Sequence, residues 1–241
     1  MGRFLLIFIL LLTTSCNKSV DNSPRLDCYF YELHVGDKPI LTGENLHNIT
    51  WISDYPFVAT TSYGYINTLH VGEANFYCSE NQLGFKVKIT PRYSFFSKRI
   101  HEWYAEFPFG SKWEDITVKH YMEILDNDMS GVVFNKDNNN AVLAVIYHFD
   151  KSNKMDYFSL AYDINKVERL AECLKERYEP YAQLSDYDYI FIHRDKHNQI
   201  DLYVYVTIVD PIILVVFSPT ATKAGDIDLE ALHKMVENEI N

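Results

Sequence analysis

Phe85-Lys86-Val87-Lys88-Ile89 and Ala74-Asn75-Phe76-Tyr77-Cys78 are two short runs in which apolar side chains occupy every second position. A period of two places alternate side chains on one face of a β-strand, so each run predicts a strand with one buried face. Similar runs recur from residue 28 to residue 90, each closed by Gly, Pro, Asn or Asp, without the helical period of about 3.6 residues. The sequence therefore predicts a small all-β domain, residues 26–91, in which the strands form a meander.

This domain contains five short motifs that carry a family resemblance. They are Val35-Gly36-Asp37, Ile49-Thr50-Trp51 followed by Ser53, Val58-Ala59, Gly64-Tyr65-Ile66 and Gly72-Glu73-Ala74. In residue type and spacing the segment resembles a group-2 bacterial immunoglobulin-like (Ig-like) domain. The resemblance implies a β-sandwich that serves as a spacer or adhesion module in an exported bacterial protein, with no catalytic site of its own.

One tryptophan and two glycines have predicted structural roles in this sandwich. Trp51 is large enough to fill the space between two sheets, while Gly64 and Gly72 allow the positive φ of tight turns. The alternative for Trp51 is a platform on which a sugar ring stacks. Core packing is the main expectation.

From Tyr93 onward the pattern changes, and residues 93–241 predict an α+β domain. Ser111-Lys112-Trp113-Glu114 and Asn165-Lys166-Val167-Glu168 have the form of capping boxes, each opening a helix. The second helix is expected to run to Tyr178, with Pro180 closing it, and a last amphipathic helix is expected over residues 228–240. The order αβββαβββα favours an antiparallel sheet with helices on one face. The strands are predicted at Val132–Phe134, Ala141–Phe149, Tyr157–Tyr162, Tyr189–His193, Leu202–Val209 and Ile212–Phe217.

Pro91 marks the expected boundary between the two domains. Proline has no N–H to donate to a β-ladder, so it terminates the strand that ends at Thr90. We therefore expect fragments 24–91 and 93–241 each to fold, the smaller being the less stable.

The first sixteen residues have the features of an export signal. Arg3 precedes an apolar run, Phe4–Leu12, and then small residues lead to Cys16. The run is too short for a membrane-spanning helix, which needs roughly 20 apolar residues. The segment resembles a bacterial lipoprotein signal, which implies a signal peptide over residues 1–15, lipidation of Cys16 and a tether over residues 16–25. Ordinary secretion without lipidation is the alternative. A lipid-anchored protein of the cell envelope follows, expected at the outer membrane, with its periplasmic or surface orientation open.

Export also affects the other cysteines, because an oxidising compartment permits disulfides. Cys28 and Cys78 lie in the same predicted domain and are the expected pair. Cys173 lies at the flank of an apolar helix stripe and is expected to be a buried thiol. Glu172 and Glu176 beside it would not activate a nucleophile, since a reactive thiolate needs an electropositive setting.

An acidic segment follows the first helix of the second domain. Asp126, Asp128, Ser130 and Asp137 have the spacing of side-chain oxygen ligands in an EF-hand-like calcium loop, with Gly131 at the sharp turn. The alternative is an acidic turn between a helix and a strand, so no metal site is assigned. His193 and His197 flank a hairpin turn, where the two rings do not converge on one zinc ion.

Charge and motifs narrow the class of function. The net charge of −11 would repel a phosphate backbone, which excludes nucleic acid as a partner. Neither a Gly-rich phosphate loop nor a Gly-x-Ser-x-Gly elbow occurs, and no cofactor is expected. The prediction is a non-enzymatic envelope lipoprotein in which an Ig-like spacer presents an α+β domain that binds a protein or glycan. The alternative is an envelope hydrolase acting on glycans or peptides.

Overall fold

The computed structural model describes residues 23–80, 82–93, 107–118, 123–124, 130–134 and 142–219. Most of this part of the chain is β-structure, organised in several sheets, as a β-sandwich requires. Two short α-helices and one turn of 3₁₀-helix accompany the strands described. None of the helices in these ranges is both long and apolar enough to cross a bilayer.

The first eight strands lie before residue 91 and form three small sheets. Their sheet orders are β2-β8-β7-β4, β5-β6 and β1-β3. The strands are β1 (Arg25–Leu26), β2 (Phe30–His34), β3 (Gly43–Glu44), β4 (Ile52–Ser53), β5 (Ala59–Ser62), β6 (Tyr65–Thr68), β7 (Gly72–Tyr77) and β8 (Gly84–Thr90).

Period-two alternation positions the core of this unit, as the sequence predicts. Along β8, Phe85, Val87 and Ile89 are buried, and the lysines between them are partly exposed. Phe76 of β7 stacks on Phe85 with ring centroids 4.7 Å apart. Side chains of the β5–β6 hairpin, including Ile66, pack into the same core, so the hairpin and the four-stranded sheet enclose it.

Two features of this unit bear on the sequence predictions. The expectation of positive φ is confirmed at Gly64, where φ is +77°, and at Gly72, where φ is +151°. The expected meander is wrong at one place, because β2 pairs parallel with β8 while β7 pairs antiparallel with it. Parallel pairing joins strands that are far apart in sequence, so local alternation carries no signal for it.

The predicted Cys28–Cys78 disulfide is absent, and both thiols are free. The register explains why. Cys28 precedes β2 and Cys78 follows β7, and β8 lies between these two strands in the sheet. Two strand spacings amount to about 10 Å, which exceeds the Cα separation of about 7 Å that a disulfide spans.

The remaining strands form one eight-stranded antiparallel sheet in the order β13-β14-β15-β16-β12-β11-β10-β9. Every pair in it is antiparallel, as expected. The sequence does not predict β9 or β13. The strands are β9 (Glu123–Ile124), β10 (Ser130–Phe134), β11 (Val142–Phe149), β12 (Met155–Asp163), β13 (Glu179–Gln183), β14 (Asp188–Arg194), β15 (Ile200–Val209) and β16 (Ile212–Ser218).

Helices α1 (Trp113–Thr117) and α2 (Val167–Lys175) contribute to the same core cluster on one face of this sheet. Ile116 of α1 and Leu170 of α2 are fully buried there. The opposite face of the sheet has a second buried apolar cluster, formed by side chains of β11, β12 and β16. The helix predicted over residues 228–240 lies outside the described residues.

Neither predicted capping box is formed. Lys112 is the N-cap of α1 and makes no side-chain cap, while the Ser111 hydroxyl donates to the carbonyl of Pro108 at 2.7 Å. The second helical segment begins earlier than predicted, because the Asp163 carboxylate accepts the N–H of Asn165 at 2.8 Å and caps a 3₁₀ turn, Ile164–Lys166, that leads into α2. Asp163 is therefore the N-cap of this helical segment, in place of the predicted Asn165, because its carboxylate lies two residues before an N–H that has no partner within the helix.

Candidate ligand pocket

A cavity of about 630 Å³ opens on the surface of the first unit, beside Trp51. We call it the Trp51 pocket. Its wall consists of the loop Leu46–Trp51, Leu41, and the tip of the β5–β6 hairpin, residues 61–64. The volume lies in the range of about 300–1,000 Å³ that is usual for small-molecule sites.

The hairpin tip is a two-residue turn formed by Tyr63 and Gly64. Both have positive φ, +51° and +77°, which is the backbone of a type I′ turn and matches the right-handed twist of the flanking strands. The carbonyl of Gly64 accepts the N–H of Leu41 at 2.8 Å, and this bond fixes the tip against the neighbouring segment. The Tyr63 side chain is 99% exposed, so a large aromatic ring stands in solvent at the rim.

The Trp51 side chain contacts both the core of the first unit and the cavity. Its indole meets the Phe85 ring edge-on, with centroids 5.0 Å apart, and it is only half-buried. The prediction that Trp51 fills the space between two sheets is therefore wrong in its position. The side chain packs against the margin of the core and also lines the cavity. An aromatic ring held by the core is a rigid wall for a ligand, because it loses little conformational entropy on binding.

The chemistry of the lining suits an uncharged polar ligand. Hydroxyl groups of Thr50, Thr61 and Ser62 and the imidazole of His47 lie among apolar side chains, and no Asp, Glu, Lys or Arg occurs among the described lining residues. The Ser62 hydroxyl accepts a hydrogen bond from Asn67 Nδ2 at 2.9 Å, which orients it. Aromatic surface with hydroxyl groups matches a sugar ring, which has an apolar face and a polar rim.

A second group of side chains joins the first unit to the eight-stranded sheet. The Tyr55 hydroxyl lies 3.1 Å from His193 Nε2 and donates to the carbonyl of Arg194 at 2.8 Å. His193 Nδ1 lies 2.7 Å from a carboxylate oxygen of Asp201. We call Tyr55, His193, Arg194 and Asp201 the His193 network.

The hydroxyl proton of Tyr55 is held firmly within this network. Burial, with the nearby charges of Asp201 and Asp195, raises the pKa of Tyr55 to about 12, so its hydroxyl stays protonated. The Tyr55 hydroxyl donates its proton to the Arg194 carbonyl, so the phenol is not activated as a nucleophile.

His70 extends this contact region. Its ring stacks on Phe57 with centroids 4.0 Å apart, and Nδ1 donates to the Phe57 carbonyl at 2.7 Å. Phe57 also meets the His193 ring edge-on at 4.9 Å. Burial lowers the pKa of His70 below its ordinary value, because the charged imidazolium loses hydration there.

The other predicted site residues are placed as follows. Cys16 and the acidic positions 126, 128 and 137 lie outside the described residues. Ser130 and Gly131 lie in β10, and Gly131 pairs with Tyr147 of β11, so Gly131 is a strand residue and not the sharp turn expected in a calcium loop. His193 lies within hydrogen-bond distance of Asp201 and Tyr55, whereas the backbone N–H of His197 donates to Asp195. Cys173 is fully buried, which confirms that part of its prediction.

Comparison with known proteins does not assign the chain to a family. No family model and no curated protein sequence matches the chain. Among solved structures, "Structure of the S-layer protein SbsC, domains 5-6" aligns with 83% of this chain and 87% of that one, at 9% identity and a TM-score of 0.21. A TM-score this low does not establish a shared fold.

Proposed function

We propose that this chain is a non-enzymatic cell-envelope lipoprotein, anchored through Cys16, that binds an envelope glycan in the Trp51 pocket. An Ig-like unit, residues 26–91, holds the pocket, and an α+β unit, residues 93–241, supports it. The tether, residues 16–25, joins both to the membrane. The supporting observation is that a tryptophan packed against the core, an exposed tyrosine and the oriented Ser62 hydroxyl surround one cavity, whose described lining has no Asp, Glu, Lys or Arg.

This proposal moves the ligand site from the second unit to the first. The Ig-like resemblance suggests a spacer, yet the cavity with balanced apolar and polar lining opens in that unit. The contacts of Tyr55 and of Glu176 between the units hold the Ig-like unit on the larger sheet. The α+β unit therefore acts as a rigid support, and the Ig-like unit faces the ligand.

Two measurements test the two halves of the proposal. Intact mass of the protein from membrane fractions should show a lipid adduct on Cys16, and a soluble protein that starts at another residue would contradict the anchor. Ligand binding is tested by co-sedimentation with purified peptidoglycan sacculi and by an array of envelope glycans.

Matched tryptophan variants make the binding test specific. Trp51→Ala should lower glycan affinity by tenfold or more, because an aromatic side chain at the centre of a binding site typically contributes about 2 kcal/mol or more. Trp113→Phe is the control, since Trp113 packs edge-on against Phe149 at 4.9 Å in the other unit. Equal binding by both variants, or binding of no glycan by the intact protein, would contradict the site.

A further inference from the structure

A second cavity, of about 250 Å³, lies between α2 and the eight-stranded sheet. We call it the α2 cavity. Leu170 and Leu174 of the helix form one wall, and Phe191, Val206 and Ile213 form the other. Helix α2 has nine residues and is about 13 Å long, whereas β15 has ten residues and extends about 33 Å. The helix therefore covers only part of the apolar sheet beneath it.

The lining of the α2 cavity is almost wholly apolar. Tyr189 contributes its ring, while its hydroxyl donates to the carbonyl of Asp186 at 2.9 Å and is already satisfied. A water molecule needs about two to four polar partners to occupy a cavity, and this lining offers few. The cavity is larger than the 150 Å³ that suffices for benzene in other proteins, so an apolar ligand fits better than water.

One charged side chain stands at the cavity. Lys175, the last residue of α2, is exposed and is the only charged residue among the described lining residues. The chain as a whole has a net charge of −11, so an anionic head group would depend on this nearby ammonium for a favourable charge contact. An apolar interior with one cation at its edge is complementary to a ligand with an apolar tail and one anionic head.

We propose that the α2 cavity binds the acyl chain of a medium-length fatty acid, with the carboxylate paired to Lys175. The tail lies against Leu170 and Val206, and the head stays in solvent at the helix end. Each added methylene group should improve affinity about fourfold until the cavity is full, and no further beyond that length. This proposal does not depend on glycan binding by the Trp51 pocket.

Isothermal calorimetry of the full folded chain tests the proposal with octanoate, decanoate and dodecanoate, each below its micelle concentration, and with decanol as the uncharged control. We expect saturable 1:1 binding that strengthens with chain length and then levels off. Lys175→Gln should weaken decanoate at least fivefold and leave decanol unchanged. Lys166→Gln, a lysine of the same helical segment that does not line the cavity, should change neither.

A cavity-filling variant completes the test. Ala171 lines the α2 cavity and is half-buried, so Ala171→Phe should abolish binding of both decanoate and decanol. A cooperative thermal transition must show that this variant is folded, and if it is not, the Lys175 comparison alone decides. Absence of saturable binding, equal decanoate affinity of the Lys175 and Lys166 variants, or full binding by a folded Ala171→Phe protein would each overturn the proposal.

Discussion

The carboxylate of Glu176 accepts the backbone N–H of Arg92, with 2.9 Å between Oε1 and the nitrogen. Its second oxygen lies 3.3 Å from the N–H of Tyr93, and the Glu176 carbonyl accepts the N–H of Val71 at 2.8 Å. The residue is 5% exposed. One buried glutamate after α2 therefore fixes the segment that connects the two units and also touches the first unit directly.

Glu176→Gln should lower the free energy of unfolding by about 2 kcal/mol. The amide keeps one acceptor but places an NH₂ group against one of two N–H donors, and hydrogen bonds to charged groups contribute about 1.5–3 kcal/mol. Urea denaturation measures the change. Glu172→Gln, an exposed position on α2, is the control and should stay within about 0.5 kcal/mol. Equal stability of the two variants would contradict the structural role of Glu176.

Tyr55→Phe should destabilise the chain by about 1–2 kcal/mol. The variant keeps the ring but removes the hydroxyl, which donates to the Arg194 carbonyl and lies within hydrogen-bond distance of His193 Nε2. Tyr63→Phe is the matched control, because the Tyr63 side chain is 99% exposed. Thermal unfolding of the full chain should show a lower midpoint for the Tyr55 variant only, and an unchanged midpoint would mean that the His193 network does not stabilise the contact.

The stability of the chain should fall as the pH drops below about 6.5. Burial lowers the pKa of folded His70 below its unfolded value of 6.5, so the unfolded state binds the proton more readily. The contribution of neutral His70 to the free energy of unfolding is complete above pH 6.5, and it decreases as the pH falls toward the pKa of His70 in the folded state. His70→Asn retains an amide donor for the Phe57 carbonyl and does not titrate. The difference in unfolding free energy between the two proteins should thus change between pH 7.5 and pH 5, and a constant difference would contradict the burial argument.

Gly72→Ala should destabilise the first unit more than Gly36→Ala does. Both glycines have positive φ, +151° and +83°, so both substitutions strain the backbone. A Cβ on Gly72 would lie 2.8 Å from Val58 Cγ2, whereas one on Gly36 meets no atom within 4 Å. We expect a cost of about 1 kcal/mol at Gly36 and at least about 1 kcal/mol more at Gly72, because overpacking adds to strain. Denaturant midpoints of both variants measure this order, and the reverse order would contradict it.

Local alternation predicts part of the fold, as β8 shows, and a continuous apolar run predicts the fully buried strand β16. Local patterns mislead where a proline that could end a helix can equally lie in an edge strand. Pro180 was expected to end a helix that runs to Tyr178, but α2 ends at Lys175 and Pro180 lies in β13, an edge strand where a missing N–H is tolerated.

The candidate sites depend on contacts that are remote in sequence. Tyr55 and His193 are separated by 138 positions, and no local pattern relates them. The sequence singles out Trp51 and the turn glycine Gly64, yet it does not show that the hairpin tip and the loop before Trp51 enclose one cavity. Such convergence is a property of tertiary packing, which residue spacing does not encode. For the same reason the parallel pairing of β2 with β8, which separates Cys28 from Cys78, escapes prediction.

The most direct test of glycan binding in the Trp51 pocket follows the indole N–H resonances of the protein by ¹H–¹⁵N correlation spectroscopy. The chain has three tryptophans, of which only Trp51 lies in the first unit, and Trp51→Phe assigns its resonance. Titration with soluble glycan fragments released from purified sacculi should shift the Trp51 resonance in a saturable way and leave those of Trp103 and Trp113 in place. A Trp51 resonance that does not move throughout the titration would contradict glycan binding in the Trp51 pocket.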